Sequence, residues 1–214
     1  MDSRWRHLQD LAIRQHGHFT TRQAEDASLT RPALHYRLAQ GFIERAERGV
    51  YRFAAYPPSE HQREAVLMLW TRLETGTAFS HETSLRHFDL GDAFPSKYHL
   101  SVPKGFRRRP PADVTLHEAD LSSADVHRED VLRYTTPTRT ILDLLRDDHP
   151  MEHLQHAYAQ AVRRGLIRRR ALEPDSRIVI AYLERCPKAD VPSASRREQK
   201  HAFLSRLERL AEAS

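Results

Sequence analysis

Helix stops and caps crowd the first 53 residues so closely that no element there can exceed about four helical turns. Residues 4–16 place Trp5, Leu8, Leu11, Ala12 and, at the margin, Ile13 on one side at three- and four-residue steps, and Gly17 ends that helix. Phe19 precedes Thr20-Thr21-Arg22-Gln23-Ala24, where either threonine can cap a short second helix. Ser28-Leu29-Thr30 then makes a tight connection. Thr30 caps a third helix with Pro32 in its first turn, where the missing N–H costs nothing, and Leu34 and Leu38 face inward one turn apart. Gly41 closes it. Ile43-Glu44-Arg45 and Val50-Tyr51-Arg52-Phe53 flank Gly49 as a hairpin.

Three short helices followed at once by a two-stranded hairpin is the order of a winged helix-turn-helix. Such a unit lays its third helix in the DNA major groove while the hairpin reaches the neighbouring backbone. With Leu34 and Leu38 inward, the opposite face presents Pro32, Ala33, Tyr36 and Gln40, flanked by Arg31, His35 and Arg37. Arg31 or Arg37 suits guanine O6/N7, Gln40 suits adenine, and Tyr36 suits a phosphate or a thymine methyl. Arg45, Arg48 and Arg52 would make the wing a phosphate clamp. Thr20, Thr21 and Arg22 stand where a helix N-terminus receives a phosphate. The competing account is a solvated hairpin edge, since arginines there also discourage strand pairing, with a winged helix serving protein contact alone.

Tyr56-Pro57-Pro58-Ser59 reads as a linker, because proline disfavours helix in the residue before it. The expected division is a winged helix at 1–56, a second domain at 57–185, and a linker with a C-terminal helix at 186–214. In the second domain, residues 60–73, 80–88, 136–145, 151–164 and 176–185 carry helical patterns. Tyr98–Val102, Val114–His117 and Val131–Thr135 carry strand patterns. The fold class is therefore α+β, a winged helix-turn-helix followed by a mixed α/β domain with a helical tail. Ser80 is expected to cap the second of those helices. Arg139 and Asp143, four apart, are expected to form an ion pair along their helix rather than a partner contact.

Charge supports a polyanion partner at the ends and not in the middle. Lys+Arg total 34 against 29 Asp+Glu, a formal net charge of +5. Residues 1–56 carry +3, residues 57–150 carry −3 and residues 151–214 carry +5. The densest basic runs, Arg107-Arg108-Arg109 and Arg163 to Arg170, suit solvated surface, nucleic acid or an acidic partner equally. No apolar run is long enough to span a membrane and no secretory leader opens the chain, so the expected location is the cytoplasm. One cysteine, Cys186, excludes an internal disulfide.

Catalytic signals are weak. Ser80-His81-Glu82 holds nucleophile, base and acid types, but adjacent helical residues point apart. His16 and His18, and His149, His153 and His156, lack the further ligands of a known zinc helix. Glu198-Gln199-Lys200 has the E-x-K shape of a PD-(D/E)xK nuclease half-site, but in a helical, charged segment instead of on a strand. No catalytic residue, metal or cofactor is expected.

Several segments taken together resemble one family. These are Leu11 to Ala24, Leu38 to Arg45 with Arg48-Gly49-Val50-Tyr51-Arg52, Phe79 to Leu85, His99 to Pro103, and Thr135 to Asp143. In this order they resemble the AbiEi family, antitoxins of type IV toxin-antitoxin systems, over about residues 8–172. The resemblance implies a winged-helix DNA-binding domain joined to an antitoxin domain. It implies autorepression at promoter inverted repeats in double-stranded DNA and neutralisation of a cognate nucleotidyltransferase-like toxin, directly or indirectly. The tail after Cys186 fits poorly. The alternatives are a winged-helix-targeted nuclease, Vsr-like or PD-(D/E)xK, and a plain transcriptional regulator without a toxin.

Overall fold

The computed structural model describes residues 2–185 and 193–212. They divide into two compact units, one formed by Met1–Thr75 with Arg128–Arg133, the other by Gly76–His127 with Tyr134–Ser214.

In the first unit, helix α1 (Ser3–Ile13) is capped by Asp2, whose carboxylate accepts from the Arg4 N–H. It buries Trp5, Leu8 and Ala12, the expected stripe, while Ile13 is 59% exposed and belongs to the outer face. Gly17 does more than stop the helix. Its φ is +81°, and a Cβ there would fall inside the Tyr56 ring, so only glycine fits. The chain then enters strand β1 (His18–Thr20), whose three residues carry too little alternation to register in the sequence. Helix α2 (Thr21–Asp26) has a full capping box between Thr20 and Gln23, which selects Thr20 over Thr21 as the cap. Helix α3 (Arg31–Ala39) is capped by Thr30 through the Ala33 N–H.

Strands β2 (Ile43–Glu47) and β3 (Val50–Phe53) form the hairpin, with Gly49 at φ +80° in its turn. β1 pairs antiparallel with β3, giving the sheet order β1-β3-β2. Trp5, Leu8, Phe19, Leu29, Leu34, Ile43 and Phe53 fill the core between this sheet and the helices. The unit runs on past Tyr56. Helix α4 (Gln62–Trp70) packs on β1, β2 and β3, and every residue from Ala65 to Trp70 is buried, so it is a core helix rather than an amphipathic surface one.

The second unit is a five-stranded sheet of order β6-β5-β4-β8-β7 with helices beside it. Its strands are β4 (Ala78–Phe79), β5 (Tyr98–Val102), β6 (Val114–Glu118), β7 (Val126–Glu129) and β8 (Leu132–Thr135), although the tip of the β7–β8 hairpin groups with the first unit. β4 and β7 were missed in the sequence. β4 has two residues, and β7 reads Val-His-Arg-Glu, polar because three of its four side chains are exposed. Helices α5 (His81–His87), α6 (Pro137–Arg146), α7 (Met151–Arg163), α8 (Arg177–Arg185) and α9 (Ser193–Glu212) follow in order. The expected linker around Cys186 falls largely outside the described residues.

Helix α6 is central. Thr136 caps it, Pro137 opens it, and Ile141, Leu142, Leu144 and Leu145 join Leu154, Tyr158, Tyr182 and Phe203 in one core. Arg139 and Asp143 do pair along this helix, Nε to Oδ2 at 2.9 Å, but both are buried. Arg139 also donates to the Asp120 carbonyl, and Asp143 accepts from the Tyr182 hydroxyl at 2.8 Å, which ties α6 to α8. Burial alone would raise the Asp125 carboxyl, but hydrogen bonds from Arg185 and Ser122 outweigh it and hold Asp125 below the usual range.

Candidate nucleic-acid interface

The outward face of α3 follows from its cap and its two leucines. Leu34 is 3% exposed and Leu38 packs against the same core, which turns Pro32, His35, Tyr36 and Gln40 outward. Tyr36 is 63% exposed, an aromatic ring standing free of the core. Ala33, expected on this face, is only half-exposed. Arg31 is outward at the first turn and paired with Glu25 at 3.3 Å, an exposed and weak ion pair.

Arg37 lies elsewhere. Its guanidinium sits over the Phe42 ring at 4.9 Å and the Trp5 ring at 5.4 Å, a cation–π arrangement that occupies it in the unit's own packing. Arg52 is similarly engaged, donating to the Tyr56 carbonyl at 2.7 Å and to Glu44 at 3.3 Å. Arg45 and Arg48 are the exposed cations of the wing. The difference follows the pleat: alternate residues of a strand face opposite sides, and the bulge between Arg45 and Glu47 re-aims the end of β2.

At α2, Thr20 is committed to the capping box and Arg22 is exposed. The Thr21 N–H and hydroxyl both donate to the Gly49 carbonyl, at 3.0 and 3.4 Å. This couples the start of α2 to the wing turn. The structure thus brings Arg22, His35, Tyr36, Gln40, Arg45 and Arg48 to the surface of one compact unit, and holds Thr20, Arg37 and Arg52 in its scaffold.

Residues 6–54 match a family model described as a transcriptional regulator, AbiEi antitoxin. This N-terminal segment is therefore similar to the AbiEi regulators. The match covers α1 through β3, the segment that holds every residue of the surface just described. Among solved structures, the chain is similar to the Rv2827c protein from Mycobacterium tuberculosis, with 14% identity and a TM-score of 0.49 over 100% of this chain and 82% of that one. No curated protein matches it. No described helix is long and apolar enough to cross a membrane.

Beyond the matched segment, the basic runs take the places their residue types favour. Arg107 to Arg109 lie in the loop between β5 and β6, and the second run starts at Arg163, the last residue of α7, and continues beyond it to Arg170, with Arg164 donating to the carbonyls of Phe88 and Asp89. Glu198 and Lys200 are exposed on α9.

One cluster escaped the sequence reading. Ser80 occupies the N-cap position of α5, as expected, but its side chain makes no capping bond; its hydroxyl lies 2.9 Å from the Nδ1 of His81, which takes a left-handed φ of +52°. His81 Nε2 is 3.1 Å from Asp147 Oδ2, and the His81 ring stacks on that of His117 at 3.7 Å. His117 Nε2 is 2.9 Å from His99 Nδ1, and His99 Nε2 is 3.1 Å from Glu82. Burial, helped by the neighbouring imidazoles His81 and His99, pushes His117 down to about 3. Burial also lowers His99, against the pull of Glu82. Burial alone would raise Asp147, yet hydrogen bonds with His81 and Arg146 hold it well below the carboxylate range. Ser80 is 0% exposed, so this Ser-His-Asp array offers a substrate no approach to its hydroxyl. No spacing rule reveals the cluster, since its members come from α5, β5, β6 and the residue after α6.

Proposed function

We propose that this chain is an antitoxin and an autorepressing DNA-binding regulator, which binds inverted repeats in its own promoter and counteracts a nucleotidyltransferase-like toxin. The observation that carries the reading is the exposed face of α3, with His35, Tyr36 and Gln40, presented beside a wing bearing Arg45 and Arg48 inside the region that matches the AbiEi model. Groove reading needs a helix whose polar side chains are unspent, and phosphate contact needs cations not already paired. In this assignment the first unit recognises DNA and the second carries the antitoxin function. No catalytic step is assigned to either.

The test uses the full chain with Tyr36→Ala and Gln40→Ala together. Both side chains are exposed, so folding is retained. Repression of a reporter driven by the chain's own promoter should be lost, while protection of cells expressing the cognate toxin persists. Retained repression would overturn the DNA-reading face. Loss of protection along with repression would overturn the division of labour.

A further inference from the structure

The histidine cluster of the second unit has the composition and second-layer support of a metal centre. His81, His99 and His117 each bring a ring nitrogen within 4.8 Å of the other two. Asp147 Oδ2 stands 3.1 Å from His81 Nε2 and 4.0 Å from His117 Nδ1. We propose that His81 Nε2, His99 Nδ1, His117 and Asp147 form a closed four-ligand site for a borderline divalent transition-metal ion of the Zn²⁺ class.

Three observations converge on it. The first is the donor set, since three imidazoles with one carboxylate match Zn²⁺ and Co²⁺ rather than Mg²⁺ or Ca²⁺, which take oxygen donors. The second is the outer layer. Metal-bound histidines are held by a hydrogen bond at the nitrogen that does not bind. His99 Nε2 is already held by Glu82, and His81 Nδ1 by the buried Ser80 hydroxyl. The third is the backbone of His81. A 3% exposed, non-glycine residue at φ +52° is costly, and such strain is kept where a side chain must be aimed. Here it aims the ring at Asp147 and His117.

The ligand atoms are drawn in more closely than an ion needs at one contact. His99 Nδ1 and His117 Nε2 are 2.9 Å apart, a hydrogen-bond distance, whereas two nitrogens on one Zn²⁺ lie roughly 3.3 Å apart. The ion takes the place of the shared proton, and the pair opens by a few tenths of an ångström. The parallel stack of His117 on His81 must also open, because stacked rings point their lone pairs alongside one another. His117 lies on β6, at the edge of the sheet, and is only part-buried, so its ring is the one placed to turn. Arg146 contacts both oxygens of Asp147, closely at Oδ1, 2.9 Å from its Nε, and more weakly at Oδ2, 3.4 Å from its Nη2, so the weaker contact falls on the oxygen that faces the site.

The experiment is titration of the purified full chain with Zn²⁺, and with Co²⁺ as a spectroscopic probe. We expect one equivalent bound per chain, the visible bands of four-coordinate Co²⁺, and a raised melting temperature. His99→Gln together with His117→Gln should abolish all three. Glu82→Gln should weaken binding about 10- to 100-fold, and His153→Ala with His156→Ala should leave it unchanged. Should the double variant fail to fold, long-range proton–nitrogen NMR of the wild type decides the matter, with ring nitrogens of three histidines shifting together on Zn²⁺ addition. Absence of a stoichiometric site, unaltered uptake by the folded double variant, or shifts confined to other histidines would overturn the proposal.

Discussion

Arg45 and Arg48 stand exposed on the wing of the first unit, whereas Arg139 of the second is 1% exposed and gives its guanidinium to Asp143 and to the Asp120 carbonyl. The same residue type stands exposed, available to the proposed DNA contact, in one and holds the interior together in the other, and burial with a partner separates the two settings. The first unit contains both kinds side by side. Arg37 over its aromatic rings and Arg52 between Glu44 and Tyr56 are internal, although they share the sequence neighbourhood of the exposed pair. A count of basic residues therefore overstates the interface, and the distinction can be broken experimentally.

The largest effect is expected in the second unit. Arg139→Ala leaves Asp143 and Asp125 with one partner fewer in a buried setting, which should cost about 3–5 kcal/mol of stability. Denaturant unfolding measures it, and a loss no larger than that of an exposed arginine would show the network to be incidental.

A pH titration gives the next effect, in the first unit. His18 is 0% exposed, its Nε2 has no hydrogen-bond partner among the described residues, and burial pushes it down to about 4. Because its folded value lies below the ordinary 6.5, the unfolded chain binds the proton more readily between those limits. Stability from His18 is fully present above pH 6.5 and is lost as the pH falls towards 4. His18→Gln should flatten the pH dependence of the urea midpoint across that window, and an unchanged slope would contradict the assignment.

The smallest effect belongs to Arg31. Its pair with Glu25 is exposed on both sides, so Arg31→Ala should change stability by less than about 1 kcal/mol. A large loss would mean that α3 depends on a contact its surface position does not explain.

Much of the first unit was legible because its information is local. Thr30, Pro32, Gly17 and Gly49 act within a few residues of themselves, and caps and left-handed turns leave their mark in adjacent letters. β1 and β4 were not legible, since two or three residues carry no period and their pairing is set by distant strands. The arginines of α3 and the wing were visible as a group but not as individuals, because only the packed structure shows that Arg52 faces Glu44 and Arg37 faces Phe42. The histidine cluster was invisible for the same reason. His81 and Asp147 lie 66 residues apart and meet only through the packing of α5 on α6.

The most direct test of the recognition surface compares two variants on two duplexes, one carrying the chain's own promoter and one scrambled at equal length, at several salt concentrations. Arg45→Ala with Arg48→Ala should weaken both duplexes alike and lower the salt slope by about one to two units, as loss of phosphate contacts requires. Tyr36→Ala with Gln40→Ala should erase the preference for the promoter and leave the salt slope nearly unchanged. Equal loss of preference in both variants, or full promoter preference retained by the second, would contradict a groove-reading α3 beside a phosphate-gripping wing.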